Sequence, residues 1–280
     1  MSSITFKSLT NFFLAAVLML HVILTGAQGQ VWEARYGLTS ASYQSKFNSL
    51  VGQGYRLKDV EGYTLNNVAY YAGIWEKSSG PAWVARHGLT NAQYQAEFNR
   101  LVNEGYRLKK VSGYTVGGAD RYAAIWDKST GPAWVARHGL DSAAHQAAFN
   151  SYVKQGYRLK QISGYAVGTS ARYASIWVKA SGPAWIARHG LTAAQYQTEF
   201  TKLKNEGYRP LSIDAYTVNG KNYFAAVWEK SAGPAWQARH GLTSAKFQET
   251  FNQLVVQGYK LVSVTGYGTG TASYAALWTK

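Results

Sequence analysis

The sequence predicts an α+β repeat protein of five tandem units, each with one helix and two or three antiparallel strands. Two observations carry this prediction. Every unit repeats the same helix signals, and the ten tryptophans form two series with a period of 51 residues that shortens to 50 only at the last step. A unit of this size cannot bury its aromatic face alone, so it must pack against its neighbours. The two series are Trp32, Trp83, Trp134, Trp185 and Trp236, and Trp75, Trp126, Trp177, Trp228 and Trp278.

The first element of each unit is a short strand that starts at the first tryptophan. In the second unit, aromatic and β-branched residues predict this strand from Trp83, and Gly88 is expected to end it. Alternate residues of an extended strand share a face. We therefore expect Trp83 and His87 on one face and Arg86 on the other.

A helix of about 14 residues follows this strand. Thr90 can cap its amino terminus, and Gln93 three residues later completes a capping box. Gly105 supplies the left-handed residue that ends it. Its apolar stripe consists of Tyr94, Phe98, Leu101 and Val102.

The unit ends with a predicted hairpin of strands at residues 106–116 and 122–126. The apolar residues of the first strand are out of step with simple alternation. A β-bulge near Lys109 or Gly113 would explain this.

The predicted organisation is a signal peptide followed by a single repeat domain. Residues 12–24 are nearly all apolar, small residues follow at 25–27, and the run is shorter than the ~20 residues that span a bilayer. We therefore expect a secreted, extracellular protein with no transmembrane segment after signal removal. The segments are the signal peptide at 1–27 and the repeat domain at 28–280, with units at about 28–79, 80–130, 131–181, 182–232 and 233–280.

Two arrangements of the units are compatible with the sequence. Open arrays usually carry modified, polar end repeats. Here the first and last units keep their aromatic and apolar positions. This favours a closed ring with pseudo-five-fold symmetry, and an open curved array is the alternative.

Composition narrows the classes of function. The chain has no cysteine, which excludes thiol catalysis and cysteine-type zinc sites. Its net charge is +15, so a polyanion is a possible partner. The basic residues are nevertheless spread through the units and never form a run of four, so nucleic acid is not an expected partner.

Several polar residues recur in the units and are the candidate binding residues. The arginine could bind an anion beside aromatic rings, or it could stack on a neighbouring unit. The histidine is replaced by Tyr36 in the first unit, which favours a packing role over metal ligation, and the recurrent glutamine such as Gln95 is expected to bond to backbone at an interface. The candidates are Arg35, Arg86, Arg137, Arg188 and Arg239; His87, His138, His189 and His240; and the tyrosine after each helix, Tyr55, Tyr106, Tyr157, Tyr208 and Tyr259.

The sequence predicts no catalytic residues, no metal site and no cofactor. No aspartate or glutamate position recurs in all five units, and acids such as Asp59, Glu61 and Asp214 are scattered. A repeated carboxylate pair for glycoside hydrolysis is therefore missing.

The repeated motif Gly-Pro-Ala-Trp-x-Ala-Arg-His-Gly-Leu, with Gln-x-x-Phe, Gly-Tyr-Arg-Leu and Tyr-Ala-Ala-Ile-Trp-x-Lys after it, resembles the structural repeat of the polyglycine hydrolase-like proteins. The resemblance covers residues 31–280. It implies an accessory region that, in that family, accompanies a serine β-lactamase-like domain cleaving glycine-rich linkers of secreted chitinases. The motif residues that would form that catalytic domain have no counterparts in this sequence.

The leading hypothesis is a secreted, non-catalytic protein that binds an extracellular macromolecule at the boundaries between units. A glycine-rich polypeptide or a glycan is the expected ligand. Five weak sites would give avidity for a repetitive target. The alternatives are a hydrolase acting on a secreted protein or polysaccharide, and a structural extracellular protein.

Overall fold

A computed structural model describes residues 32–280, and these contain five helices and fifteen strands. The predicted signal peptide, residues 1–27, lies outside the described residues. Each repeat runs strand, helix, strand, strand, which confirms the predicted unit and fixes its strand number at three. The helices are α1 (Ser40–Gly52), α2 (Asn91–Asn103), α3 (Ser142–Lys154), α4 (Ala193–Asn205) and α5 (Ser244–Val256).

The strands fall into three classes by their place in the repeat. The first strands are β1 (Trp32–Thr39), β4 (Trp83–Thr90), β7 (Trp134–Leu140), β10 (Trp185–Thr192) and β13 (Trp236–Thr243). The second strands are β2 (Tyr55–Leu65), β5 (Arg107–Val116), β8 (Tyr157–Val167), β11 (Arg209–Val218) and β14 (Lys260–Tyr267). The third strands are β3 (Val68–Lys77), β6 (Ala119–Asp127), β9 (Ser170–Lys179), β12 (Lys221–Glu229) and β15 (Ser273–Thr279).

Each repeat forms its own antiparallel sheet with the third strand in the middle. The first and second strands are therefore the two edges. The predicted bulge in β5 is confirmed, because the pairing with β6 shifts between Leu108 and Lys110. A second bulge was not predicted: the register of β4 shifts between Arg86 and Leu89.

The second bulge corrects the predicted end of the first strand. Gly88 adopts a left-handed φ of 71° without ending the strand, and pairing resumes at Leu89 and Thr90. Only glycine reaches this conformation without strain. The chain therefore kinks at Gly88 and delivers Thr90 to the amino terminus of α2.

The helix signals are confirmed in α2. The Thr90 hydroxyl accepts the Gln93 N–H, and the Gln93 side chain accepts the Thr90 N–H. Gly105 follows the carboxyl end with a φ of 84°. Local sequence thus sets both ends of the helix, while Tyr94 and Leu101 bury its inner face.

The cap of α4 allows a quantitative test of the conclusion that local sequence sets the helix ends. Its Thr192 hydroxyl accepts the Gln195 N–H at 3.3 Å, and the Gln195 Oε1 accepts the Thr192 N–H at 2.9 Å. We expect Thr192→Ala to lower the free energy of unfolding by about 1 kcal/mol. Thr198→Ala, inside the same helix, should change it by less than about 0.5 kcal/mol, since alanine is the better helix former. Urea unfolding measures both, and equal losses would contradict the capping role.

The core is built from the second tryptophan of each repeat and its neighbours. Trp126 is fully buried, and Tyr94 of α2 packs against it. The first tryptophan instead joins adjacent repeats: Trp83 meets Phe47 of the first repeat edge-on at 5.8 Å, with the Arg56 guanidinium over its ring. The two tryptophan series therefore have different roles, one inside the repeat and one between repeats.

The second strands lie together at the centre of the molecule. β2 contacts β5, β5 contacts β8, β8 contacts β11, β11 contacts β14, and β14 contacts β2. A small central cavity is lined by residues from all five of these strands. The second strands thus surround a common axis.

Direct bonds join the fifth repeat to the first. The Tyr63 and Tyr274 hydroxyls lie 3.1 Å apart, and the Asn66 N–H donates to the Thr269 carbonyl at 2.8 Å. The sheets of the described residues do not merge into one closed sheet, and sheet pairing alone would allow an open array. The side-chain and loop contacts nevertheless bring the first and last repeats together, as in the closed arrangement.

Candidate functional site

A groove lies at the boundary between successive repeats, which we call the boundary groove. Its walls are the helix of one repeat and the first strand of the next. Grooves of about 340, 420 and 270 Å³ follow α2, α3 and α4. The groove after α2 is lined by Tyr94, Gln95, Phe98, Ala136, Arg137 and His138.

The structure brings three of the predicted arginines and three of the predicted histidines into these grooves. Arg137 and His138 line the same groove, and so do Arg188 and His189. The prediction that the arginine and histidine occupy opposite faces is therefore wrong. The bulge that follows the arginine breaks the two-residue alternation on which that prediction relied.

Each recurrent arginine caps the free edge of its own strand. The first strand pairs on one side only, so the carbonyl of the residue before the arginine faces away from the sheet. In the second repeat the Arg86 Nη1 donates to the Ala85 carbonyl at 3.0 Å. The same bond links Arg35 to Ala34, Arg137 to Ala136, Arg188 to Ala187 and Arg239 to Ala238. Such capping discourages a further strand from pairing there.

The remaining donors of these arginines differ between repeats. The Arg86 Nε lies 3.0 Å from Glu97, and the Arg188 Nε lies 3.3 Å from Glu199. Arg35 pairs with Glu33 at 2.7 Å and is mostly buried. Three of the five guanidinium groups therefore already have a carboxylate partner.

The histidines are half-buried contacts between repeats. His138 meets the rings of Tyr94 and Tyr122 edge-on, and its Nε2 lies 2.8 Å from the Asn91 Oδ1. Burial lowers the pKa of His138, and the same holds for His87, His189 and His240. These imidazoles are therefore neutral at pH 7 and hold the helix of one repeat to the strand of the next.

The recurrent glutamine also lines the grooves, but its bonds differ from the expectation. The Gln95 Nε2 donates to the Asn99 Oδ1 at 2.8 Å, one helical turn away. The Gln197 Oε1 lies 2.8 Å from the His240 Nε2 across the boundary. The partners are side chains rather than backbone, because the residue is exposed on the helix surface where backbone groups are already paired.

The tyrosine after each helix lies apart from the boundary grooves. The Lys128 ammonium lies over the Tyr106 ring at 4.8 Å. Lysines cover Tyr157, Tyr208 and Tyr259 in the same way, while Tyr55 is buried. The candidate residues thus divide into arginines and histidines, three of each lining the grooves, and tyrosines outside the grooves, four of which pack against lysine.

Sequence reasoning missed a cluster of charged residues at the central axis, which we call the axial cluster. It consists of Asp59, Glu61, Lys110 and Asp214. The Lys110 ammonium lies 2.8 Å from Asp59 and 2.5 Å from Glu61, and all four residues are buried. Asp59 and Lys110 occupy equivalent positions of successive second strands, and Glu61 and Asp214 occupy equivalent positions of the first and fourth repeats. Charged residues at equivalent positions of the repeat were the signal in the sequence. They indicate a cluster only once the second strands are known to converge on one axis.

Burial controls the ionisation of the axial cluster. Burial raises the pKa of Glu61 to about 8, although Lys110 opposes this, and raises the pKa of Asp214 to about 6. Burial alone would lower the pKa of Lys110, but the carboxylates of Asp59 and Glu61 outweigh it and raise that pKa. Glu61 and Asp214 are only 2% and 3% exposed, so a macromolecular substrate cannot reach them.

Two further properties hold for residues 32–280. They contain no group of three or more histidine, aspartate or glutamate side chains placed to hold a metal ion. None of their helices combines the length and apolar character needed to cross a membrane.

Comparison with known families identifies the repeat. The model of the polyglycine hydrolase-like structural repeat matches the chain five times, at residues 29–78, 80–129, 131–180, 182–231 and 233–280. The chain belongs to this family. The matched units agree with the tryptophan period and with the five sheets, so the family repeat and the structural repeat coincide. Repeats occupy all of residues 32–280, and no part of that segment forms a separate hydrolase domain.

Proposed function

We propose that this protein is exported and acts outside the cell as a non-catalytic binding protein. Its ligand is an extracellular macromolecule, either a glycan or a glycine-rich polypeptide. The observation that carries the proposal is the repeated boundary groove, in which a guanidinium, a glutamine amide and aromatic rings meet at successive repeats. Concave sites with a few convergent polar groups are the usual form of ligand sites.

Repetition of the grooves suits a repetitive ligand. A single groove of this size contacts only a few sugar or peptide units, and its affinity is correspondingly weak. Several equivalent grooves on one rigid scaffold raise the overall affinity without any new type of contact. A polymer with a regular spacing of groups is therefore the ligand class that this architecture favours.

The test is binding of the purified protein to arrays of glycans and glycine-rich peptides at about 0.1 M and about 1 M salt. The Debye length falls from about 10 Å to about 3 Å between these conditions. We expect binding to one ligand class that persists in part at high salt, because aromatic and amide contacts are less screened than ion pairs. Binding that disappears at high salt for every ligand would reduce the proposal to general attraction by the +15 net charge. No binding to either array would overturn it.

A further inference from the structure

The five boundary arginines are not equivalent, and the difference has a simple origin in sequence. Glu97 and Glu199 lie at the same position of α2 and α4 and neutralise Arg86 and Arg188. The residues at that position of α3 and α5 are Ala148 and Thr250. The third and fifth repeats therefore lack the internal carboxylate.

Arg137 and Arg239 consequently keep a donor free of any acidic partner. Within residues 32–280 neither forms an ion pair, although each uses its Nη1 to cap a backbone carbonyl. That bond holds the guanidinium to its own strand, as the equivalent bond does for Arg86, whose Nε lies 3.0 Å from a Glu97 carboxylate oxygen. In the third repeat the guanidinium also lies over the Tyr152 ring at 5.3 Å.

We propose that Arg137 and Arg239 form two carboxylate-binding sites, and that their ligand is the uronate group of an acidic polysaccharide. This rests on the proposed binding function and specifies its ligand. The external carboxylate takes the place that Glu97 and Glu199 fill in the second and fourth repeats. Charge-assisted bonds from a held guanidinium to a carboxylate are among the stronger polar contacts in proteins.

Two features favour a glycan over an acidic polypeptide. An extended peptide commonly binds by adding a strand to a free sheet edge. Here the Arg137 Nη1 already occupies the outward carbonyl of Ala136, so that mode is blocked beside the site. The groove instead offers an amide at Gln95 and an aromatic ring at Phe98 next to the guanidinium, which suit the hydroxyl groups and apolar face of a sugar.

The experiment titrates the protein with a short oligomer of galacturonic acid in a calorimeter at about 0.15 M salt. We expect two sites per chain, no comparable binding of the methyl-esterified oligomer, and weaker binding of a glutamate peptide of equal charge. The double variant Arg137→Gln with Arg239→Gln should weaken binding at least about tenfold, the effect of losing a charge-assisted contact. The matched variant Arg121→Gln with Arg172→Gln removes the same charge from two arginines that also bond to a backbone carbonyl but line none of the boundary grooves. It should change affinity less than about threefold.

Two further variants keep every arginine and its carbonyl bond. Ala148→Glu with Thr250→Glu installs the carboxylate found in the second and fourth repeats and should abolish binding. Glu97→Ala with Glu199→Ala frees the guanidinium groups of Arg86 and Arg188, while Arg100 loses Glu97 but keeps Glu104. It should raise the number of sites from two to four.

Equal losses in the two arginine pairs would show that only net charge matters and would overturn the inference. If the glutamate peptide binds as tightly as the galacturonic acid oligomer, or more tightly, the conclusion that the ligand is a glycan is overturned. If the wild-type protein binds a neutral glycan or a glycine-rich peptide and none of these variants affects it, the inference fails while the proposed function stands. If the protein binds none of these ligands, both fail.

Discussion

Lys110→Met should be one of the most destabilising single substitutions in this protein, lowering the free energy of unfolding by about 3–5 kcal/mol at pH 8. Lys110 is the only cation in contact with Asp59 and Glu61, at 2.8 and 2.5 Å, within the described residues. Removing it leaves both carboxylates buried without a counter-charge. Breaking a buried ion pair in this way costs far more than the pair contributes relative to apolar residues.

The stability lost in Lys110→Met should be smaller at low pH than at high pH. Burial holds the pKa of Glu61 at about 8 and that of Asp214 at about 6, both above their values in an unfolded chain. A carboxyl whose pKa is raised by folding binds a proton more readily in the folded state, so stability falls as pH rises from about 4.5 towards 8. Without Lys110 these pKa values rise further. The variant should therefore lose clearly less stability at pH 5, where the carboxyls can be protonated.

Urea unfolding at pH 5 and pH 8, followed by tryptophan fluorescence, measures this difference. The boundary histidines are the same in wild type and variant, so any contribution they make to the pH dependence cancels in the comparison. Lys109→Met is the matched control, since Lys109 is exposed and its nearest carboxylate, Asp127, is 3.8 Å away. It should cost less than about 1 kcal/mol at either pH.

A second variant tests whether unpaired charge is the cause. Glu61→Gln in the Lys110→Met background removes one of the stranded carboxylates and should recover at least about 1 kcal/mol at pH 8. No recovery, or a Lys110→Met loss no larger than that of Lys109→Met, would mean that the axial cluster is hydrated and does not behave as a buried network.

The contrast between the helices and the axial cluster shows what the sequence could predict. Thr90, Gln93 and Gly105 act within one helix, so their roles follow from spacing alone and the structure confirms them. Lys110 and Glu61 are 49 positions apart and meet because the second strands converge on one axis. Such contacts follow only from the arrangement of the repeats.

The boundary grooves were predictable in part. Recurrence placed Arg137 and His138 at a unit boundary, and the structure brings both into one groove. The bulge after the arginine takes the residues that follow it, His138 among them, out of the predicted alternation, because an inserted residue reverses the alternation of every residue beyond it. The distinction between occupied and free guanidinium groups depends on Glu97 and its equivalents, which no local pattern links to the preceding strand.

Gly113→Ala should also be severely destabilising, although it adds a single methyl group. Gly113 lies in a second strand and lacks a left-handed φ, so its backbone could accept alanine without strain. An added Cβ would overlap with Cδ1 and Cε1 of the Tyr165 ring of the next repeat. Tyr165 is buried, and its hydroxyl is held by the Tyr122 hydroxyl at 2.6 Å and the Gly139 N–H at 3.1 Å. The ring therefore cannot easily move away, and overpacking of this kind lowers the free energy of unfolding by about 1–3 kcal/mol or more.

The fourth repeat already carries alanine at the position equivalent to Gly113, and its contacts show how the extra methyl group can be accommodated. Its equivalent position is Ala215, and the ring of the next repeat there is Tyr267. The tyrosine that would pair with the Tyr267 hydroxyl is replaced by Phe224, so only the Gly241 N–H holds that hydroxyl. A ring held by one bond can shift to admit the methyl group, whereas Tyr165 is held by two.

The comparison with Ala215 allows a clash with the hydrogen-bonded Tyr165 ring to be distinguished from a general loss of packing. Thermal and urea unfolding should show that Gly113→Ala costs less in a Tyr122→Phe background than in the wild type, since that background reproduces the arrangement around Ala215. Ala215→Gly is the control and should cost no more than about 1 kcal/mol, the usual effect of glycine in a strand. An equal cost of Gly113→Ala in both backgrounds would show that the Tyr122–Tyr165 bond does not hold the ring. A cost below about 0.5 kcal/mol in the wild type would show that the repeats separate easily enough to admit the methyl group.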